Sequence, residues 1–171
     1  MDTVIACGLP APDFTLPDLE GRLHTLSAYG GQIVIINFWS AECPQTARAD
    51  QELLSCLPTW GRRLVLLSIA ANANEPPELL RKTAAERGVP VVLHDDRHQV
   101  ADRYGAVTTP HFYVIDPAGT LRYQGALDDV TFHRRLPSQR YLRQAVEALL
   151  AGSLPDPEQT PPYGCAIVRY L

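Results

Sequence analysis

Residues 32–39, Gln-Ile-Val-Ile-Ile-Asn-Phe-Trp, form an unbroken β-branched and aromatic run. A strand with one wet face alternates apolar and polar residues, whereas a continuous run of this length belongs to a strand covered on both faces. Pro44 follows closely, and the chain then runs to Leu57 without an internal breaker before Pro58. Proline suits the first helical turn because its missing N–H would have had no helical partner. A buried strand handing over to a helix is the building unit of an α/β domain, and Cys43 stands at the junction.

The remaining punctuation extends that unit. Residues 13–16 and 23–26 alternate in strand fashion around Asp18-Leu19-Glu20-Gly21 and read as a β-hairpin. Leu64 to Ala70 reads as a second buried strand and Asn72 to Glu75 as a loop. Pro76 to Arg87 reads as a helix stopped by Gly88. Val89 to Leu93 is a strand, Gln99 to Tyr104 a short helix closed by Gly105, and His111 to Ile115 a strand. Asp116 to Gly119 turns into a last strand over Thr120 to Tyr123. Ser138 is positioned to cap a helix that carries Leu142, Val146, Leu149 and Leu150 on one face. The alternation specifies an α/β sandwich with a mixed central sheet over residues 1–152, followed by a Pro-rich tail over 153–171.

Composition narrows the function classes. With 15 Lys and Arg against 19 Asp and Glu the net charge is −4, which gives no general attraction to nucleic acid or anionic lipid. No apolar run approaches the roughly 18 residues of a membrane-spanning helix. Four cysteines are too few for a disulfide-built scaffold. Val4-Ile5-Ala6-Cys7 superficially resembles a lipoprotein cleavage box, but it lacks the basic start and apolar core of an export signal. The expected compartment is the cytoplasm, or the periplasm if an export signal lies upstream of this sequence.

The chemistry concentrates at Cys43. A thiol at a strand-to-helix junction faces unpaired backbone N–H groups and the positive end of the helix dipole, and both favour thiolate. A cysteine with pKa about 8.5 is only about 3% thiolate at pH 7, and a drop of two units raises that to roughly three quarters. Such a shift takes about 2.7 kcal/mol of differential stabilisation. A second segment, Val107-Thr108-Thr109-Pro110-His111, places a proline at the start of a strand, where a cis bond is allowed.

Together these segments resemble the thioredoxin-like superfamily. Asn37 to Pro44 is similar to the active-site entry of bacterial thiol-disulfide oxidoreductases and redoxins of the TlpA and AhpC/TSA groups. Gly8-Leu9-Pro10-Ala11-Pro12-Asp13-Phe14 is similar to their N-terminal signature, and Thr109-Pro110 to their cis-proline loop. Asp95 to Ala106 and Gly164-Cys165-Ala166-Ile167 resemble the peroxiredoxin-like redoxins. The resemblance implies a thioredoxin-like three-layer sandwich with an N-terminal β-hairpin extension. It implies Cys43, Thr46 and Pro110 as catalytic residues, and Trp39, Pro44, Thr109 and His111 as substrate contacts.

The departures shape the expected mechanism. The chain reads Cys43-Pro44-Gln45-Thr46 where the oxidoreductases carry Cys-x-x-Cys, so no adjacent thiol can release a mixed disulfide. A glutamate found in the first turns of this helix in many members falls at Ala49. Ile36 stands where the peroxidase motif has proline. Cys56 lies 13 residues beyond Cys43 on the same helix, about 20 Å away, whereas disulfides need Cα atoms within about 7 Å. Cys165 and Cys7 lie in terminal segments and are the possible resolving residues.

The expected activity is thiol-based oxidoreduction with Cys43 as the single nucleophile, acting on a disulfide, a peroxide or a low-molecular-weight thiol. An external thiol supplies reducing equivalents, with no cofactor and no metal. The competing reading is a redox-inactive partner-binding module of the same fold; a copper or thiol carrier is a third.

Overall fold

A computed structural model describes residues 5–170; Val4, at the head of the Val4–Cys7 stretch, lies outside that range. The chain opens with the expected hairpin: β1 (Thr15–Pro17) and β2 (Leu23–Thr25) pair antiparallel with Leu16 opposite His24. β3 (Ile33–Trp39) is buried at every position, as its continuous apolar run requires. It leads into α1 (Pro44–Trp60), with Pro44 in the first turn. The helix continues past Pro58 for two residues, because a proline removes one N–H and crowds one carbonyl without forbidding the final half-turn. Leu57 O then accepts the Gly61 N–H and closes the end.

β4 (Leu64–Ala70), α2 (Pro77–Arg87), β5 (Val92–His94) and α3 (Gln99–Tyr104) follow. Next come β6 (Thr108–Thr109), β7 (His111–Ile115), β8 (Leu121–Gly125) and α4 (Tyr141–Leu150). α4 begins later than its capping signal suggests. Arg140 is the N-cap residue and offers no side-chain cap, while the Ser138 hydroxyl bonds Asp129 instead.

The central sheet has the order β5-β4-β3-β7-β8; β3, β4 and β5 are parallel, and β7 and β8 antiparallel. Alternation along β3 divides its side chains between two layers. Ile33 and Ile35 pack with Ala49 and Leu53 of α1 and Leu142 and Val146 of α4. Val34, Ile36 and Phe38 pack on the other face with Val100 and Tyr104 of α3 and with Phe14 and Leu16 of the hairpin region. Among the described residues no helix is long and apolar enough to cross a membrane.

The Pro-rich tail is bound to this body along its length. Gln159 bridges to Gln124 of β8, and Thr160 Oγ1 bonds Tyr123 Oη at 2.7 Å and accepts the Ala126 N–H at 3.0 Å. Gly125 makes that approach possible, since a Cβ there would lie 2.3 Å from Thr160 O. Further on, β9 (Cys165–Ala166) pairs antiparallel with β6, with Thr109 opposite Cys165. Ile167 is buried, and its N–H reaches Val107 O at 3.1 Å. The tail thus straps the sheet from the β8 edge to the loop after β4.

Candidate active site

Parallel neighbours β3 and β4 end side by side, so the loops that follow them meet. The loop after β3 carries Ser40, Ala41 and Cys43. Cys43 is the N-cap residue of α1, in extended backbone conformation (φ −77°, ψ 121°), and no acidic residue sits in the first helical turn to oppose negative charge there. Arg87 of α2 holds this loop from behind, donating to Ala41 O at 2.6 Å and Ser40 O at 3.3 Å. Facing Cys43 is the Thr109–Pro110 peptide, which is cis. The Cys43 thiol donates to Thr109 O at 3.0 Å.

The β6–β9 pairing brings Cys165 onto this pair. It sits opposite Thr109, whose carbonyl the Cys43 thiol bonds, close enough for each thiol to shift the other's proton affinity. Gly164 sets how closely the tail can approach, since a Cβ there would lie 2.1 Å from Thr109 O and 3.1 Å from Pro110 Cδ. Cys43 is only 3% exposed beneath this strap, whereas Cys165 is exposed.

The two thiols are electrostatically unequal. Burial pushes the Cys43 thiol up, but hydrogen bonds oppose it and hold it below the ordinary cysteine value. The groups that lower it are the Cys165 thiol, the Thr46 and Cys165 N–H groups, and the Thr109 hydroxyl. The Cys165 thiol is pushed up to about 11 by burial, by its bond to Cys43, and by the negative charge of Cys43 and Glu75. The arrangement favours one thiolate, on Cys43.

The other sequence-derived candidates fall into place around this pair. Thr46 is fully buried in the first turn of α1; its backbone N–H serves Cys43 while its hydroxyl has no hydrogen-bond partner. Pro44 is exposed at the rim. Thr109 does not present a free edge for substrate, because β9 occupies it. Trp39, expected as a substrate contact, is a core residue with no exposed surface. Its Nε1–H bonds Asp50 at 2.7 Å, and Arg87 lies over its ring at 5.5 Å. Asp50, next to Ala49, is pushed up by burial against the opposing bonds from Trp39 and Arg87.

His111 is buried, and its Nδ1 accepts the Val107 N–H at 3.3 Å; burial lowers it to about 4 and keeps it neutral. It braces the turn before β7 and is not among the groups that shift Cys43. Cys7 lies against the outer side of β8, where its thiol bonds Glu158 O at 3.3 Å, with β7 between β8 and the Cys43 strand. Cys56 packs in the core beneath α1, with Arg143 donating to its sulfur at 3.1 Å.

Sequence reasoning missed Glu75. Its side chain is 4% exposed and accepts from Ser40 Oγ at 2.5 Å, Ala41 N–H at 2.7 Å and Asn72 Nδ2 at 3.0 Å. Its position at the carboxyl end of a parallel strand, beside the strand that presents Cys43, was the available signal.

Comparison with known proteins agrees with this geometry. The AhpC/TSA family model matches residues 7–124. The thiol-disulfide oxidoreductase ResA of Geobacillus thermodenitrificans is 35% identical over 122 residues, 70% of this chain and 69% of that protein. The thiol:disulfide interchange protein DsbE of Allochromatium vinosum is 27% identical over 119 residues, 67% of this chain and 64% of its own length. A hypothetical protein of Sinorhizobium meliloti superposes with a TM-score of 0.86 over 99% of this chain and 97% of its own, at 29% identity. The thioredoxin domain of a Bacteroides vulgatus thiol-disulfide oxidoreductase gives a TM-score of 0.63 at 25% identity, over 71% of this chain and 89% of that domain. A matched family model spanning most of the chain, and a buried thiol facing a cis-proline loop on the expected sandwich, make this chain a member of the AhpC/TSA family with a thioredoxin-like fold.

Proposed function

We propose that the protein is a thiol-disulfide oxidoreductase whose redox couple is Cys43 with Cys165, the tail thiol standing in for the second cysteine that the Cys-Pro-Gln-Thr motif lacks. The observation that carries this reading is the β6–β9 pairing, which sets Cys165 opposite Thr109, the residue whose carbonyl the Cys43 thiol bonds. In the cycle the Cys43 thiolate attacks a substrate disulfide, forming a mixed disulfide and expelling one substrate thiolate. The Cys165 thiol then loses its proton and attacks Cys43 Sγ. That step releases the second substrate thiolate, which takes up a proton, and leaves a Cys43–Cys165 disulfide. Two equivalents of an external thiol restore the dithiol.

This reading alters the monothiol expectation in one respect: the resolving thiol is internal. Because β9 covers Cys43, the strap lifts to admit a substrate and returns to resolve it. The test uses a Cys7→Ser, Cys56→Ala background and 5,5′-dithiobis(2-nitrobenzoate), which releases a coloured thiolate at each exchange. The reduced pair should release two equivalents and retain none. With Cys165→Ser added it should release one and retain one on Cys43. Retention of the aromatic thiol on Cys43 with Cys165 present would return the protein to a monothiol mechanism.

A further inference from the structure

We propose that Glu75 is a positioning residue for the thiol pair: one buried carboxylate holds the loop that presents Cys43 and, through Asn72, the strand that presents Cys165. The inference rests on the two-cysteine reading above and adds to it the element that keeps the two sulfurs together.

Toward the nucleophile, Glu75 Oε2 accepts from Ser40 Oγ and Oε1 from the Ala41 N–H. Ser40 Oγ in turn accepts the Cys43 N–H at 3.1 Å and the Glu42 N–H at 3.2 Å. Toward the tail, Glu75 Oε2 also orients the Asn72 amide. Asn72 Oδ1 then accepts the Val168 N–H at 2.8 Å, beside a bond from the Ala73 N–H to Val168 O at 2.7 Å. Val168 lies three residues beyond Cys165. The bonds at the centre of this network, those of Glu75 to Ser40, Ala41 and Asn72, are buried.

Among the described residues no cation approaches Glu75 within ion-pairing distance, although Arg87 binds the same loop on its carbonyl side and is neutralised by Asp50 at 3.1 Å. Both of its oxygens accept, Oε1 from the Ala41 N–H and Oε2 from the Ser40 hydroxyl and the Asn72 amide, so the site needs an acceptor on each side, which a carboxylate supplies and a glutamine amide does not. The titratable groups that act on Cys165 are Cys43, at the head of α1, and Glu75, after β4. Burial and the neighbouring Cys43 push the Cys165 thiol up, and the negative charge of Glu75 adds to them in the same direction. The carboxylate aligns the pair through its hydrogen bonds.

The test compares the full-length reduced protein with Glu75→Gln and Asn72→Ala. In Glu75→Gln the pH midpoint for alkylation of Cys165 by iodoacetamide should move down, by about half a unit at most. Closure of the Cys43–glutathione mixed disulfide onto Cys165 should slow about tenfold. Asn72→Ala should slow closure similarly, because it frees Val168 and with it the strand that presents Cys165. A purely structural role would lower melting temperature in both without moving the Cys165 profile. Wild-type closure together with an unmoved Cys165 profile in Glu75→Gln overturns the proposal. Should that variant fail to fold, wild-type closure in Asn72→Ala overturns it alone. If the unmodified protein never closes, the two-cysteine reading falls, and the Cys165 profile in Glu75→Gln still decides the role of the charge.

Discussion

Cys43 gains its thiolate character from a few donors that act over single bond lengths, so single substitutions move it in known directions. The Thr109 side-chain hydroxyl is one of them, and its backbone carbonyl is what pairs with β9. Thr109→Val removes the hydroxyl and keeps the carbonyl. The Cys43 alkylation midpoint should rise by about half to one pH unit, in proportion to one lost hydrogen bond. An unmoved midpoint would assign the shift to the Cys165 thiol and the backbone N–H groups. His111 acts on stability instead. Its pKa falls from 6.5 to about 4 on folding because burial disfavours the cation. The unfolded chain therefore binds the proton more readily, and stability falls as pH drops through the interval between those two values. At pH 4.5 the loss from this residue should be about 2–3 kcal/mol relative to pH 7. Urea unfolding of wild type and His111→Phe at both values checks it: the variant should lack this part of the acid sensitivity.

At the scale of elements the controlling contact is that of β9 on β6. Gly164 is the position where the tail passes closest to the cis-proline loop, and only a residue without Cβ fits. Gly164→Ala should lift β9 and leave the central sheet intact. Disulfide closure should slow at least about tenfold, and Cys43 should become more accessible to iodoacetamide. Wild-type closure in Gly164→Ala would mean that the tail resolves Cys43 from some other register. Much of the site was legible because it is local. Cys43 at a strand-to-helix junction and Thr109–Pro110 before a strand are read from neighbours in the chain. Trp39, expected as a substrate contact from the resemblance, has no exposed surface because it ends a strand covered on both faces. Glu75 was not legible from its own loop, Asn72-Ala73-Asn74-Glu75, because its importance depends on β4 lying parallel to β3. Cys165 was legible only as a thiol with freedom to fold back; its register opposite Thr109 is a tertiary fact.

At the scale of the whole molecule, the proposed mechanism has the tail turn a sandwich with one active-site cysteine into a closed dithiol device. It is fastened at both ends: Thr160 sits on the Tyr123 hydroxyl at one side of the site, and Val168 on Asn72 and Ala73 at the other. Between these anchors the strap occupies the Thr108–Thr109 edge that would otherwise pair with an incoming extended chain. Substrate entry and resolution are therefore alternate states of one segment. The measurement that tests this most directly is a time course of the reduced, full-length protein with oxidised glutathione, quenched in acid and mapped by peptide mass spectrometry under non-reducing conditions. The account predicts glutathione on Cys43 first, then its loss as a Cys43–Cys165 disulfide appears, with Cys56 unmodified throughout. Stable glutathione on Cys43 with Cys165 remaining a free thiol would contradict it.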